Sequence, residues 1–460
     1  MRTRAAVLGA GMTGVLAARV LAEYFDTVFL MERDELPRQA EPRKGLPQGR
    51  HAHVLMSGGV RAVEAILPGT TERWLAAGAH RIGLLSGYVL LLPDGWVRRW
   101  PGEQFVISCS RALLDWVIRE QVLADPRIVT RQPVDLLGLT GDDGRVTGIS
   151  WHDRNSGQDH HTDVDLVVDA TGRGSRATRW LADLGYGQVH DQVVDSGLVY
   201  ATRLFRAPGN AGHGFPVVNV QADPNSGTPG QTAALMPIEN GQWLVTLSGT
   251  RGGEPTADPD RFVDFAKSLR HPIVGELIAR AEPLGPVHLT RSTANTRHHF
   301  DKLPRWPDGF VVIGDAVASY NPVYGHGMSV AARGVLALRD RLARDGMRPA
   351  GAATALQRTV TRLTLDAWNQ ATATDARFPG AIGPRPTIVD RVVRRYMERL
   401  LATAASRPDV AEAVVEVFTL SAPANRLLAP SVALRGLMGP KLSPLPEPPF
   451  TERELSLLHD

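Results

Sequence analysis

AAVLGAGMTGVLAARVLAEYFDTVFLMER, from Ala5 to Arg33, reads as strand, glycine turn, helix, strand. Ala5–Leu8 is a short apolar run without turn residues, the pattern of a strand covered on both faces in a parallel sheet. Gly9-Ala10-Gly11-Met12-Thr13-Gly14 then fits G-x-G-x-x-G. In that motif the first glycine makes the tight turn, the second lets backbone approach a pyrophosphate, and the third lets the helix pack on the strand. The helix starts there, so its free N–H groups and positive dipole end face the phosphates. Thr27–Met31 is a second apolar strand. Glu32 closes it eighteen residues after Gly14, the reach of a carboxylate that accepts from ribose hydroxyls. The stretch predicts a dinucleotide site without choosing the dinucleotide.

The rest of the composition narrows the class. A chain of 460 residues with 43% hydrophobic and 22% charged residues is an ordinary globular composition, long enough for two or three structural units. A net charge of +3 with no basic run gives no indication of nucleic-acid binding. The single cysteine, Cys109, excludes an internal disulfide and fits a reducing cytoplasm. No signal-peptide pattern precedes the first strand, and no run approaches 18 consecutive apolar residues, so a cytoplasmic protein without a transmembrane segment is expected. The histidine pairs His51/His53, His160/His161 and His298/His299 lack neighbouring Cys or acid ligands, so no metal site is expected.

Taken in order, Arg33–Leu55 is a polar, Pro- and Arg-rich segment that reads as a long loop. Its Arg43, Lys44, Arg50, His51 and His53 either meet an anion or form a solvated face. Gly87–Trp100 reads as a hairpin around Pro93-Asp94-Gly95. Ser110 is a candidate N-cap for the helix ALLDWVIREQVL, and Arg111 sits in its first turn. A cation is unfavourable there unless an anion sits with it; a solvated side chain is the alternative. Ile128–Val134, Leu136–Leu139 and Val146–Trp151 are expected to form a strand meander with a turn at Gly141-Asp142-Asp143-Gly144. Asp165–Ser175 is another buried strand running into a glycine-rich turn, with a helix expected at 176–184. Short strands with turn residues fill 185–290, interrupted by helical signals at 259–269 and 273–281. The opening pattern then returns. Phe310–Ile313 is a strand, Gly314-Asp315-Ala316 follows, and Asn321–Met328 is a glycine-rich loop feeding a helix over 329–343. Helical spacing recurs over 354–374, 388–405 and 410–420. The proline-rich end, PKLSPLPEPPFTE, is expected to hug the surface or stay mobile.

Three stretches together, GAGMTG…MER, DLVVDATGRGS and GDAVASYNPVYGHGMS, with the SRALLDW helix start, resemble the flavoprotein monooxygenases of the para-hydroxybenzoate hydroxylase type over residues 1 to 375. RKGLPQGRHAHVL, SGLVYATRLFRAP, LSGTRGGEP and NPVYGHGMS are closer to one branch, the actinobacterial flavin-dependent epoxidases of polyether polyketide biosynthesis. The resemblance implies FAD as cofactor. Gly9, Gly11 and Gly14 would hold the pyrophosphate, with the amides of Met12 and Thr13 facing it. Glu32 would bind the adenosine ribose with Arg33 alongside. Arg111 would reach the FAD phosphate and ribityl region, and Arg43 is a further candidate cofactor-binding residue. Asp315 would take a ribityl hydroxyl and Pro322 would lie against the flavin ring. The amides from Gly325 through Gly327 to Met328 would face the pyrimidine end. Where the class has Asp-Gly in its middle motif, this chain has Asp169-Ala170, so no nicotinamide role is carried over to it.

The fold expected is α/β: a Rossmann-like FAD-binding domain with an inserted antiparallel-sheet substrate domain and a helical C-terminus. The expected boundaries are 1–184 and 301–375 for FAD, 185–300 for substrate with the 87–100 hairpin, and 376–460 for the helical region. The activity the resemblance implies is epoxidation of C=C bonds in a polyene polyketide through a flavin C4a-hydroperoxide, with O2 as co-substrate. The flavin carries that chemistry, so no catalytic side chain is assigned. Residues on 198–205, 233–238 and 243–247 are candidate walls of an apolar pocket, or plain core. An aromatic hydroxylase and a dehydrogenase or prenyl reductase of the same class are the alternatives. No second G-x-G-x-x-G exists for a separate nicotinamide domain, so the electron source is NAD(P)H bound transiently or a partner flavin reductase.

Overall fold

The computed structural model describes residues 3–142, 144–346 and 350–459. Asp143 of the expected turn lies outside them. At the centre is a five-stranded, wholly parallel sheet in the spatial order Phe310–Val312, Leu166–Asp169, Arg4–Leu8, Thr27–Met31, Ile128–Arg131. Ala5, Ala6 and Val7 are fully buried, as a central strand covered on both faces requires. The Met12–Leu21 and Gly327–Asp345 helices pack in the same apolar core as this sheet. This is the α/β, Rossmann-like core expected from the opening stretch.

A seven-stranded sheet forms the second layer. Its order is Glu282–Thr290, Val199–Arg206, Gln242–Gly249, Gln231–Ile238, Val217–Val220, Tyr88–Leu92, Gly95–Trp96. Neighbours are antiparallel except Val217–Val220 against Tyr88–Leu92, so the early hairpin is built into this later sheet. Alternation sorts its two faces. Ala201, Phe205, Ala233, Leu235, Trp243, Val245 and Leu247 pack with Phe262, Val274 and Ile278 from two short helices, forming a separate core. Those seven side chains are therefore core rather than pocket wall. The even-numbered residues of the same strands face the other way.

Several local expectations are corrected. Ile128–Arg131 joins the parallel sheet beside Thr27–Met31 instead of opening the meander; Pro133 separates it from Val134–Gly141. The meander runs Val134–Gly141, Val146–Asp153, Gln158–Asp163. Its third strand carries QDHHTD, an edge without an apolar residue, so it gives no hydrophobic period to read. The 33–55 loop contains a short 3-10 turn, Pro47–Arg50, and the strand Val54–Met56. The helix expected over 354–374 is two, Ala352–Leu363 and Leu365–Asp375. The Thr364 hydroxyl donates to the Thr361 carbonyl at 2.6 Å between them, competing with the helical ladder. Helices at Ile388–Ala404 and Pro408–Phe418 match the expected spacing, and Pro430–Met438 adds one more. The proline-rich end takes the first of its two expected courses. Leu445 bridges to Trp96, Phe450 and Leu457 pack on the second core, and Arg99 pairs with Glu454 at 2.6 Å. No helix among the described residues is long and apolar enough to cross a membrane.

Candidate functional site

Three loops interlock at the C-terminal edge of the parallel sheet, the edge where open α/β sheets bind ligands. Gly9 has φ of +90°, and a Cβ there would stand 2.9 Å from the Ala170 carbonyl oxygen. A Cβ on Gly14 would overlap the Gly9 carbonyl oxygen at 1.8 Å. Gly314 has φ of +72° and leaves no room for a Cβ beside the Thr13 hydroxyl, 2.9 Å away. Gly11 is different: a Cβ there meets only the Arg43 guanidinium, at 3.7 Å, so its open side faces away from the fold. Gly11 is the N-cap of the Met12–Leu21 helix and supplies no side chain to cap it, leaving the amides of Met12 and Thr13 to an outside acceptor. Asp169 is fully buried and holds its own turn, accepting from Thr171 N, Thr171 Oγ1 and Ser175 Oγ at 2.6–2.9 Å.

Glu32 is buried at the end of its strand. Its Oε2 accepts from the Ala10 amide at 2.6 Å and lies 3.1 Å from Arg43 Nη1; its Oε1 accepts from Asp34 N at 3.0 Å. The carboxylate is thus fixed against the glycine loop. Arg33, the next residue, is exposed. Arg43, Arg111 and Arg119 line one cleft with Glu41 and Asp115. Ser110 caps the Arg111–Leu123 helix as expected, accepting from Leu113 N at 3.2 Å. Arg111 donates to Asp115, one turn on, at 2.8 Å, so its own helix supplies part of the charge its position calls for.

Asp315 follows the strand at Phe310–Val312. Burial pushes its carboxyl above the ordinary range against the pull of Arg173 and Arg111. A Cβ on Gly327 would lie 3.3 Å from its Oδ1, which places Asp315 beside the start of the Gly327–Asp345 helix. Arg173, which the sequence reading did not single out, donates to the carbonyls of Ala294 and Tyr320 at 2.6 and 2.9 Å.

The loop before that helix is held from behind. Asn321 Nδ2 donates to both oxygens of Asp375, Tyr324 Oη to one at 2.8 Å, and Asn295 Nδ2 to the other at 2.6 Å. Asn321 Oδ1 accepts from Val323 N and from Tyr200 Oη at 3.2 and 2.8 Å. Pro322 opens the resulting turn, and Gly325 ends it with φ of +68°. His326 is fully buried; its Nε2 donates to the Phe418 carbonyl at 3.0 Å, and burial lowers its pKa to about 4. Met328 lies in the helix's first turn and packs on the main core.

Opposite the loop stands the even-numbered face of the large sheet. Leu204, Met236 and Leu244 gather with Val54 and Met56, and those last two side chains lie 3.1–3.3 Å from where a Gly325 Cβ would be. Hydroxyls interrupt this apolar lining. Thr246 Oγ1 accepts from Ala52 N at 3.2 Å and shares a proton with Thr202 Oγ1 at 2.8 Å, which in turn meets His51 Nδ1 at 2.8 Å. If His51 donates from Nδ1 to Thr202 and Thr202 donates on to Thr246, Nε2 is left as the open acceptor of the neutral ring. Burial, with His288 nearby, lowers the His51 pKa to about 4, so the ring is neutral at physiological pH. His51 lies 5.9 Å from Tyr200, ring to ring. Gly49 approaches Arg111. The 49–53 segment therefore runs from the arginine cleft to the Asn321 turn.

The donor set fits a flavin dinucleotide. It offers capless helix amides and a cationic cleft that suit a diphosphate, the buried Asp315 carboxyl, and a second glycine turn feeding a helix N-terminus. No metal-binding group of three or more His, Cys, Asp or Glu occurs among the described residues.

No family model matches the chain. Over 354 residues it is 27% identical to kynurenine 3-monooxygenase of Salinispora tropica, covering 72% of this chain and 70% of that protein. The fold is similar to that of the flavin-dependent brominase Bmp2, with a TM-score of 0.65 and 14% identity over 91% of this chain and 94% of that one. Protein Rv3254 of Mycobacterium tuberculosis is 30% identical over 446 residues, 95% of this chain and 93% of that protein. On that match, carried along nearly the whole of both chains, this protein belongs to the family of Protein Rv3254.

Proposed function

We propose that the chain is an FAD-dependent monooxygenase that epoxidises C=C bonds of an apolar polyene, of the kind made in polyether antibiotic biosynthesis. The observation that carries this reading is the apolar sheet face of Leu204, Met236 and Leu244 set against the Asn321–Met328 loop. Bound FAD would supply the activation of O2, and the side chains position and shield it. The amides from Gly9 to Gly14 and the guanidiniums of Arg43 and Arg111 would neutralise the diphosphate. Glu32 would accept from the ribose, Asp315 from the ribityl chain, and Pro322 would lie by the ring. The amides from Gly325 through Gly327 to Met328 would stabilise negative charge at its pyrimidine end. The apolar face would hold the alkene and keep out water. In this reading 1–184 and 301–375 form the cofactor domain, and 185–300 with the 87–100 hairpin form the substrate domain.

One observation favours a second reading. His51, neutral and hydrogen-bonded to Thr202, would take a phenol's proton on Nε2 in the tautomer that donates Nδ1–H to Thr202, as an aromatic hydroxylase would use. The two separate on one measurement. Purified protein with FAD, a reductant and 18O2 is given a polyene and a phenol. Incorporation of one labelled oxygen into the polyene alone supports epoxidation; incorporation into the phenol alone overturns it. Turnover of either without O2 would overturn both.

A further inference from the structure

Behind the cofactor loops, the structure holds a largely buried arginine whose Nε has no partner among the described residues. Arg297 lies on the Asn295–His298 strand, 8% exposed, and its Nε is buried without a hydrogen-bond partner among the described residues. A buried N–H without an acceptor is unfavourable, and the guanidinium that carries it lines an open recess, so an anion seated there would satisfy it. The surroundings supply the rest of a site. Arg297 lines a recess of about 260 Å3 with Arg358, Thr361, Arg362, Leu365 and Asp301. Arg358 and Arg362 are one turn apart on the Ala352–Leu363 helix and exposed. The Thr361 hydroxyl, on the same helix and 1% exposed, also has no hydrogen-bond partner. Three guanidiniums thus face one carboxylate, Asp301, which is itself exposed. The neighbouring His299 feels the same field: burial first, then Arg297 and Lys302, lower its pKa.

We infer that this recess is a binding site for a phosphate-bearing small molecule. Guanidiniums match the oxygens of a phosphate in pairs, and the Thr361 hydroxyl adds a neutral donor. The volume falls short of the roughly 300–1,000 Å3 of drug-sized sites, which suits a phosphate on a small organic group more than a whole dinucleotide. The inference does not depend on the proposed monooxygenase activity, since none of these residues lies in the glycine loops or on the large sheet.

The test is calorimetric titration of the protein as purified with inorganic phosphate and with glycerol 3-phosphate, against sodium chloride of equal ionic strength. Saturable binding is expected, weakened at least about tenfold by the double substitution Arg358→Ala/Arg362→Ala, whose exposed positions leave folding unchanged. Glycerol 3-phosphate binding tighter than phosphate identifies an organic phosphate as the ligand; equal binding identifies free phosphate. Arg297→Met separates a ligand site from a structural role. It should raise the melting temperature without phosphate, because an unsatisfied buried N–H is removed, and abolish the further rise that phosphate gives the wild type. Absence of saturable binding, or binding unchanged in the double variant, overturns the inference, as does a lower melting temperature for Arg297→Met in phosphate-free buffer.

Discussion

Two glycines three residues apart do different work, and a methyl group distinguishes them. A Cβ on Gly14 would collide with the Gly9 carbonyl oxygen at 1.8 Å, so Gly14→Ala must displace the helix from the strand. Overpacking of this kind costs about 1–3 kcal/mol or more, and a fall in melting temperature with or without flavin is expected. A Cβ on Gly11 meets only the tip of Arg43, at 3.7 Å. Gly11→Ala should therefore keep the melting temperature of the flavin-free protein while losing flavin, seen as a colourless preparation. Full flavin occupancy in that variant would remove the pyrophosphate from this loop. The same scale shows what the sequence could not disclose. Arg111 was conspicuous because a cation opens a helix. His51 was one of several basic residues in an irregular loop, and its role rests on Thr202 and Thr246, more than 150 residues away.

At the scale of elements, legibility followed hydrophobic period. The strands at Arg4–Leu8, Thr27–Met31, Leu166–Asp169 and Phe310–Val312 are near-continuous apolar runs and could be read with their glycine turns. Gln158–Asp163 could not, because both its faces are polar. The partner of Ile128–Arg131 was also hidden: a four-residue run reveals a strand but not which neighbour it joins. The support of the Asn321 turn was invisible for a related reason. Asp375 ends the Leu365–Asp375 helix, and nothing in its local sequence marks it, yet it receives Asn295, Asn321 and Tyr324. Burial raises its pKa, and those donors oppose the shift. Asp375→Ala leaves the donors buried and unmatched, each costing about 1–3 kcal/mol. The expected outcome is a lower melting temperature together with weaker flavin retention, since the turn leading into Gly325 loses its anchor. Loss of stability with unaltered flavin affinity would show that the turn keeps its shape without Asp375.

For the whole molecule, buried histidines set a limit on the acid side. His51 and His326 both have pKa values lowered by burial to about 4, against 6.5 when exposed. The unfolded chain binds these protons more readily than the folded one. Their neutral forms therefore stabilise the fold fully above pH 6.5, and that stability is lost as pH falls toward 4, by up to about 3 kcal/mol for each. The buried carboxyls of Asp169, Asp315 and Asp375 act in the opposite sense. Their raised pKa values mean the folded state takes up protons first, so acidification relieves a cost that is present at neutral pH. The two sets overlap at the acid end, and the bare pH dependence of wild-type stability mixes them. Comparison with a variant separates them. His326→Gln retains a donor for the Phe418 carbonyl, and His51→Gln retains a polar group for Thr202, but neither titrates. Between about pH 7 and pH 5 the wild-type melting temperature should fall more steeply than that of the double variant, because the carboxyls contribute to both proteins alike and these two imidazoles only to the wild type. Parallel curves would mean that both imidazoles already exchange protons freely in the folded protein. In that case His51 would no longer be a fixed neutral group opposite the Asn321 turn, and the phenol reading that depends on it would lose its support.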